Sequence, residues 1–233
     1  MLKHTGWVVA ALFAALSCNS AVAAGAEPPT TFKKASDTWK KDGLQPVRAE
    51  GLDLVYVRKE SRLNGYSKVL LKSVSVDVNP DWRRKSGMSI STTPVKVKPV
   101  IEAVTAMVSE EVRKALEAGG YALVDAPGPD VAEIDVAVVN LFLIATDEMM
   151  ERDKSVDAKS VGRMSLVATV RDAASGDLVL HAFDDEVGHK PDRPYREAAA
   201  ECMDWVRSAL AAWAGTLRSG LDISTGKRSL SAR

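Results

Sequence analysis

YALVDAPGPDVAEIDVAVVNLFLIA, residues 121–145, opens with a short apolar run, turns at APGPD and continues as the longest strand-like segment in the chain. Ile134, Val136 and Val138 alternate with Glu133 and Asp135, the period-two pattern of a strand with one buried face. From Val136 onward both parities are apolar, which predicts cover on both sides of its second half. Its polar groups, Glu133, Asp135 and Asn140, have no partner visible in the sequence. The segment therefore specifies structure and leaves chemistry to its flanks.

On the amino-terminal side, KVLLKSVSVDV (68–78) alternates Val74, Val76 and Val78 against Ser73, Ser75 and Asp77, a strand that Asn79-Pro80 ends. GLDLVYVR (51–58) reads as a shorter strand or extended segment. After Pro99, Ile101, Val104, Val108, Val112 and Ala115 recur at three and four, giving an amphipathic helix that Gly119-Gly120 stops. On the carboxyl-terminal side, Met164, Leu166, Ala168 and Val170, the DAASGD turn, then Leu178, Leu180 and Ala182 predict a β-hairpin over 162–187. Tyr195, Ala199, Cys202, Val206, Trp213 and Leu217 form the apolar stripe of a last helix of about six turns, ending at Gly220. The expected fold is α+β: one mostly antiparallel or mixed sheet of about five strands, with two amphipathic helices packed on a face.

The 233 residues suit a single domain, and the balance of 31 basic against 31 acidic side chains gives no reason to expect nucleic acid or an anionic surface as partner. Lys3 and His4, the apolar run from Trp7 to Leu16, and Ala21-Val22-Ala23-Ala24 follow the order of a secretory signal. The expected organisation is a signal peptide over 1–24, an extended leader over 25–50 with one turn of helix around Trp39, a single domain over 51–222 and a flexible tail over 223–233. The mature protein is then periplasmic. A second route stays open, because Ala15-Leu16-Ser17-Cys18 resembles a lipobox with its first two positions exchanged. Cys18 is the candidate lipidation site, and a membrane is a partner only if it is acylated.

The segments GYSKVLLKSVSV, NPDWRR, EAGGYALVDAPGPDVAEIDVAVVNLF, MSLVATVRDAASGDLVL and WAGTLRSGLD together resemble the bacterial exported family catalogued as domain of unknown function 3313. The resemblance spans residues 50–222. It implies an envelope location and supplies no catalytic residues. A weaker architectural likeness extends to the amino-terminal domain of the Tol-Pal propeller protein and to the curli secretion lipoprotein, on the strand-helix-strand order and the turn at Asp172-Ala173-Ala174-Ser175-Gly176.

HAFDDEVGH is the most enzyme-like stretch. On a strand, His181 and Asp185 share a face about 13 Å apart while Asp184 faces away, too dispersed for one metal ion. A hairpin strand running out into a solvated acidic turn is the expectation. Cys202 falls on the buried stripe of the last helix, where a thiol behaves as a small apolar group. No metal or cofactor is expected, and no catalytic set is assigned. Trp82, Arg83 and Arg84 in one polar loop, and Met149 and Met150 in another, are the candidate interaction surface. These readings favour a non-enzymatic envelope protein that binds an envelope protein or polymer through its loops or a sheet edge. The alternatives are a periplasmic hydrolase or carbohydrate-active enzyme using His181, Asp184 and Asp185, and a small-ligand carrier.

Overall fold

The computed structural model describes residues 28–58, 65–80, 97–143, 161–189 and 195–225. Along the chain the elements are α1 (Phe32–Lys41), β1 (Gln45–Val47), β2 (Leu54–Val57), β3 (Lys68–Val78), α2 (Val97–Ala118), β4 (Ala122–Leu123), β5 (Val131–Leu143), β6 (Gly162–Asp172), β7 (Leu178–Val187) and α3 (Tyr195–Ser224). The strands form one mixed sheet in the order β1-β2-β7-β6-β5-β3-β4. The fold is α+β, with seven strands where the sequence suggested about five.

β5 and β6 pair antiparallel, with Val136 opposite Ala168, and β6 and β7 form the expected hairpin, with Thr169 opposite His181. β3 lies parallel to β5, and α2 spans the crossover between them. The segment following α2 is held by Gly120, whose φ of 71° favours a residue without Cβ. β2 adds antiparallel outside β7, with Tyr56 opposite His181. β7 is therefore an interior strand over Leu180–Phe183, with His181 and Asp184 buried, and its last residues from Asp185 to Val187 run out toward solvent as expected.

α2 and α3 cover one face of the sheet. Val104, Val108, Val112 and Leu116 from α2 and Val206, Leu210, Trp213 and Leu217 from α3 pack with Ile134, Val136, Val138, Leu166, Ala168 and Ala182. Arg207 of α3 ties the two helices by reaching Glu110 at 3.3 Å and Glu111 at 3.5 Å. α3 runs through Gly220 to Ser224 rather than stopping there. Buried Leu217 and Leu221 flank that glycine, and Arg218 bridges Asp222 at 2.9 Å across it, which together offset a helical glycine's cost of about 1 kcal/mol.

The opposite face has its own cover. Ala137 and Val139 of β5, Val167 of β6, Phe183 of β7 and Tyr56 of β2 pack against Ala35, Trp39 and Leu44. The two-faced burial expected for the second half of β5 is observed. Its cover comes from residues 32–44, within the stretch that reads as an extended leader. Thr31 caps α1 by accepting a hydrogen bond from the Lys34 N–H, and Lys40 and Lys41 occupy its last turn, where positive charge suits the helix dipole.

Candidate functional site

The strands expose two features for binding, a free edge and a rim. β3 is eleven residues long, yet β4 pairs only with Lys68 and Val69. Among the described residues, 70–76 therefore have no strand on their outer side. Register shifts at Leu71/Ser73 and Val76/Val78 bound a central run of Ser73, Val74, Ser75 and Val76. Val74 and Val76 lean on the helix-side core, while Ser73 and Ser75 are exposed on the other face. The far edge of the sheet, β1, is three residues long and contains Pro46, a combination that blunts strand addition.

At the rim, β3, β5 and β7 end and β6 begins, because Leu143 pairs with Gly162 and Arg163 with Val187. A surface groove of about 260 Å³ lies there, lined by His189, Glu201, Asp204, Trp205 and Ser208. Trp205 sits over two glycines that bond to each other, Gly188 N–H donating to Gly162 O at 2.8 Å. A Cβ at Gly162 would stand 2.9 Å from the Trp205 ring, and one at Gly188 would stand 3.1 Å from it. These two positions hold the indole against the strand ends.

His181, Asp184 and Asp185 do not converge. His181 faces α1: its ring stacks on Trp39 at 4.7 Å, Nδ1 shares a 2.9 Å hydrogen bond with Thr169 Oγ1, and Nε2 lies 3.9 Å from Asp42. Burial pushes its pKa down to about 4, against the attraction of Asp42. Asp184 faces the other side of the strand. It accepts the Asp53 N–H at 3.2 Å, and burial, reinforced by Glu186 and Asp53, pushes its pKa up to about 7. Asp185 accepts from Ser165 Oγ at 2.7 Å and lies 3.4 Å from Arg163, while its own N–H donates to Asp53. Asp53 thus clasps β7 through two successive residues. The geometry removes the basis for a hydrolase built on these three groups, since adjacent strand residues point to opposite faces.

Among the described residues no group of three or more His, Cys, Asp or Glu side chains could hold a metal ion. Cys202 is buried, as expected for the helix stripe, and its Sγ lies 3.0 Å from Val161 O. Trp82, Arg83, Arg84, Met149, Met150 and Cys18 lie outside the described residues. The sequence offers Trp205 with Trp213 as core packing or an aromatic docking stripe of the last helix; Trp213 is in the core and Trp205 lines the groove. The available signal was the i, i+3, i+4, i+7 spacing of Glu201, Asp204, Trp205 and Ser208, which places a polar face beside an aromatic ring.

No family model matches the chain, so the resemblance to domain of unknown function 3313 is not confirmed. No curated protein matches it either. Among solved structures the chain is similar to the PelC dodecamer from Paraburkholderia phytofirmans, at 12% identity over 68% of this chain and 94% of that one, with a TM-score of 0.34. It is also similar to a minor lipoprotein from Acinetobacter baumannii, at 12% identity over 69% and 95%, with a TM-score of 0.36. A Xanthomonas campestris protein of the DUF330 family shares 13% identity over 72% and 91%, with a TM-score of 0.41. Likenesses at these scores carry no argument about activity or partners. No helix among the described residues is long and apolar enough to cross a membrane.

Proposed function

We propose that the protein is an exported, non-enzymatic component of the bacterial cell envelope that binds another envelope protein by accepting a strand on the free edge of β3. The observation that carries this reading is the pairing of an eleven-residue strand with a two-residue neighbour. Backbone N–H and C=O groups along such an edge are a template for a further strand. The flanking register shifts, with Lys72 inside one of them, discourage indiscriminate pairing. A partner that fits presents alternating side chains, apolar toward Val74 and Val76 and polar toward Ser73 and Ser75. Export is supported by the signal-like order of residues 3–24.

A photo-crosslinking residue at Ser75 tests the binding mode in envelope fractions. With the crosslinking residue moved to Lys72 on the same edge, Ser75→Lys should abolish capture of the crosslinked partner without lowering the melting temperature. Capture that persists unchanged in Ser75→Lys would exclude the edge as the binding surface. Mass spectrometry of the mature amino terminus distinguishes cleavage after Ala23 or Ala24 from acylation at Cys18, and an uncleaved chain would overturn export.

A further inference from the structure

The groove over Trp205 has a chemistry distinct from that of the strand edge. Glu201, Asp204, Trp205 and Ser208 share one face of α3, with His189 on the facing wall. Trp205 is half-buried, with the Gly162–Gly188 pair beneath it. Asp204 is exposed and has no ion-pair partner among the described residues. Arg207, the nearest cation in sequence, is engaged by Glu110 and Glu111. A groove that combines an indole with the Asp204 carboxylate and a hydroxyl is complementary to a flat organic cation. The ring attracts it through its quadrupole, and the carboxylate accepts its N–H groups.

We propose that this groove binds the guanidinium group of an arginine side chain on a partner polypeptide. Guanidinium is favoured over ammonium because it is planar and weakly hydrated, so it can stack on an indole while donating to a carboxylate beside the ring. Asp204 supplies the acceptor and Trp205 the platform. The site is independent of the β3 edge and can be tested on purified protein without any envelope partner.

The test is calorimetric or NMR titration of the full chain with acetyl-Gly-Arg-Gly-amide. Its comparators are the same peptide carrying citrulline, the neutral isostere, and spermidine. The expected result is saturable binding of the arginine peptide, at least tenfold weaker with citrulline and weaker with spermidine. Asp204→Asn, at an exposed position, should weaken it at least fivefold while leaving the melting temperature unchanged, and Trp205→Phe should weaken it further. Absence of saturable binding, equal affinity for citrulline or spermidine, or an Asp204→Asn variant that binds as wild type would each overturn the assignment.

Discussion

His181 lies flat against Trp39, with ring centroids 4.7 Å apart and planes inclined by 14°. The pair joins α1 to an interior strand and uses imidazole as a packing plate rather than as a base. Thr169 holds Nδ1, Asp42 at the end of α1 approaches Nε2, and Tyr56 lies opposite on β2. Trp39 also meets Tyr56 edge-on at 5.9 Å. Arg171 opposes protonation from β6. The contact is built for the neutral ring.

That placement gives the fold an acid-sensitive contribution. A pKa pushed down from 6.5 to about 4 means that the unfolded chain takes up a proton before the folded one does. The contribution is therefore complete above pH 6.5 and is lost as pH falls toward 4. His181→Phe keeps a flat ring and removes the titration. Between pH 7 and pH 4.5, urea denaturation should show the variant losing about 2 kcal/mol less stability than the wild type. Parallel losses in the two proteins would mean that the imidazole protonates freely in the fold.

Asp184 acts with the opposite sign. Its pKa is raised from 3.8 to about 7, so its contribution is full below pH 3.8 and is lost as pH rises through 7. Asp184→Asn mimics the neutral form and keeps an acceptor for the Asp53 N–H. At pH 8 it should be more stable than the wild type by about 2 kcal/mol, after a discount for partial hydration, and at pH 4 nearly equal. Because the His181 and Asp184 slopes oppose each other between pH 4 and 6.5, the wild type should be flatter there than either variant. An Asp184→Asn variant less stable than wild type at pH 8 would show that the ionised carboxylate is satisfied in the fold.

The strands and α2 were legible because their patterns are local: alternation in β3, β5 and the β6–β7 hairpin, and three-and-four spacing closed by Gly119-Gly120. The position of β7 was not. β2 reaches it from more than 120 residues upstream, and nothing in HAFDDEV announces a second neighbour, so His181 and Asp184 read as solvated. α1 was legible only as one turn around Trp39, for another reason. Among the described side chains of FKKASDTWKK, Ala35 and Trp39 are the buried ones, an i, i+4 pair too sparse to show a period. The sequence held an indirect sign in the apolar second face of β5, which requires a cover that α2 and α3, on the other side, do not provide. Where the β3 edge ends and the Trp205 groove begins depends on register and on two glycines, neither of which periodicity reports.

Trp39 should therefore carry a core residue's weight, although it lies in a lysine-rich stretch. It is 2% exposed, and truncating a buried Trp to Ala costs about 3–5 kcal/mol. Trp39→Ala should lower stability by that order and speed amide exchange in β7 around His181 and Phe183, with little change in α2. A loss under 1 kcal/mol would mean that residues 32–44 are a detachable leader after all.

Two glycines near or within α3 should respond to alanine with opposite signs. At Gly162 a Cβ would stand 2.7 Å from Phe142 O and 2.9 Å from Leu143 Cδ2 as well as from the Trp205 ring. The carbonyl belongs to a paired strand and cannot retreat. Overpacking of this kind costs about 1–3 kcal/mol, a fall of roughly 2–4 °C in melting temperature per kcal/mol for a chain of this size. Gly215, inside α3, has no neighbouring atom within 4 Å of the built Cβ. There Gly→Ala recovers helix propensity and should stabilise by about 0.5–1 kcal/mol. Gly162→Ala should also displace the indole and weaken arginine-peptide binding, whereas Gly215→Ala should leave it unchanged. Thermal melts and the peptide titration on the two variants separate a seat shaped for Trp205 from a general tolerance of alanine, and a Gly162→Ala protein as stable as wild type would remove the seat.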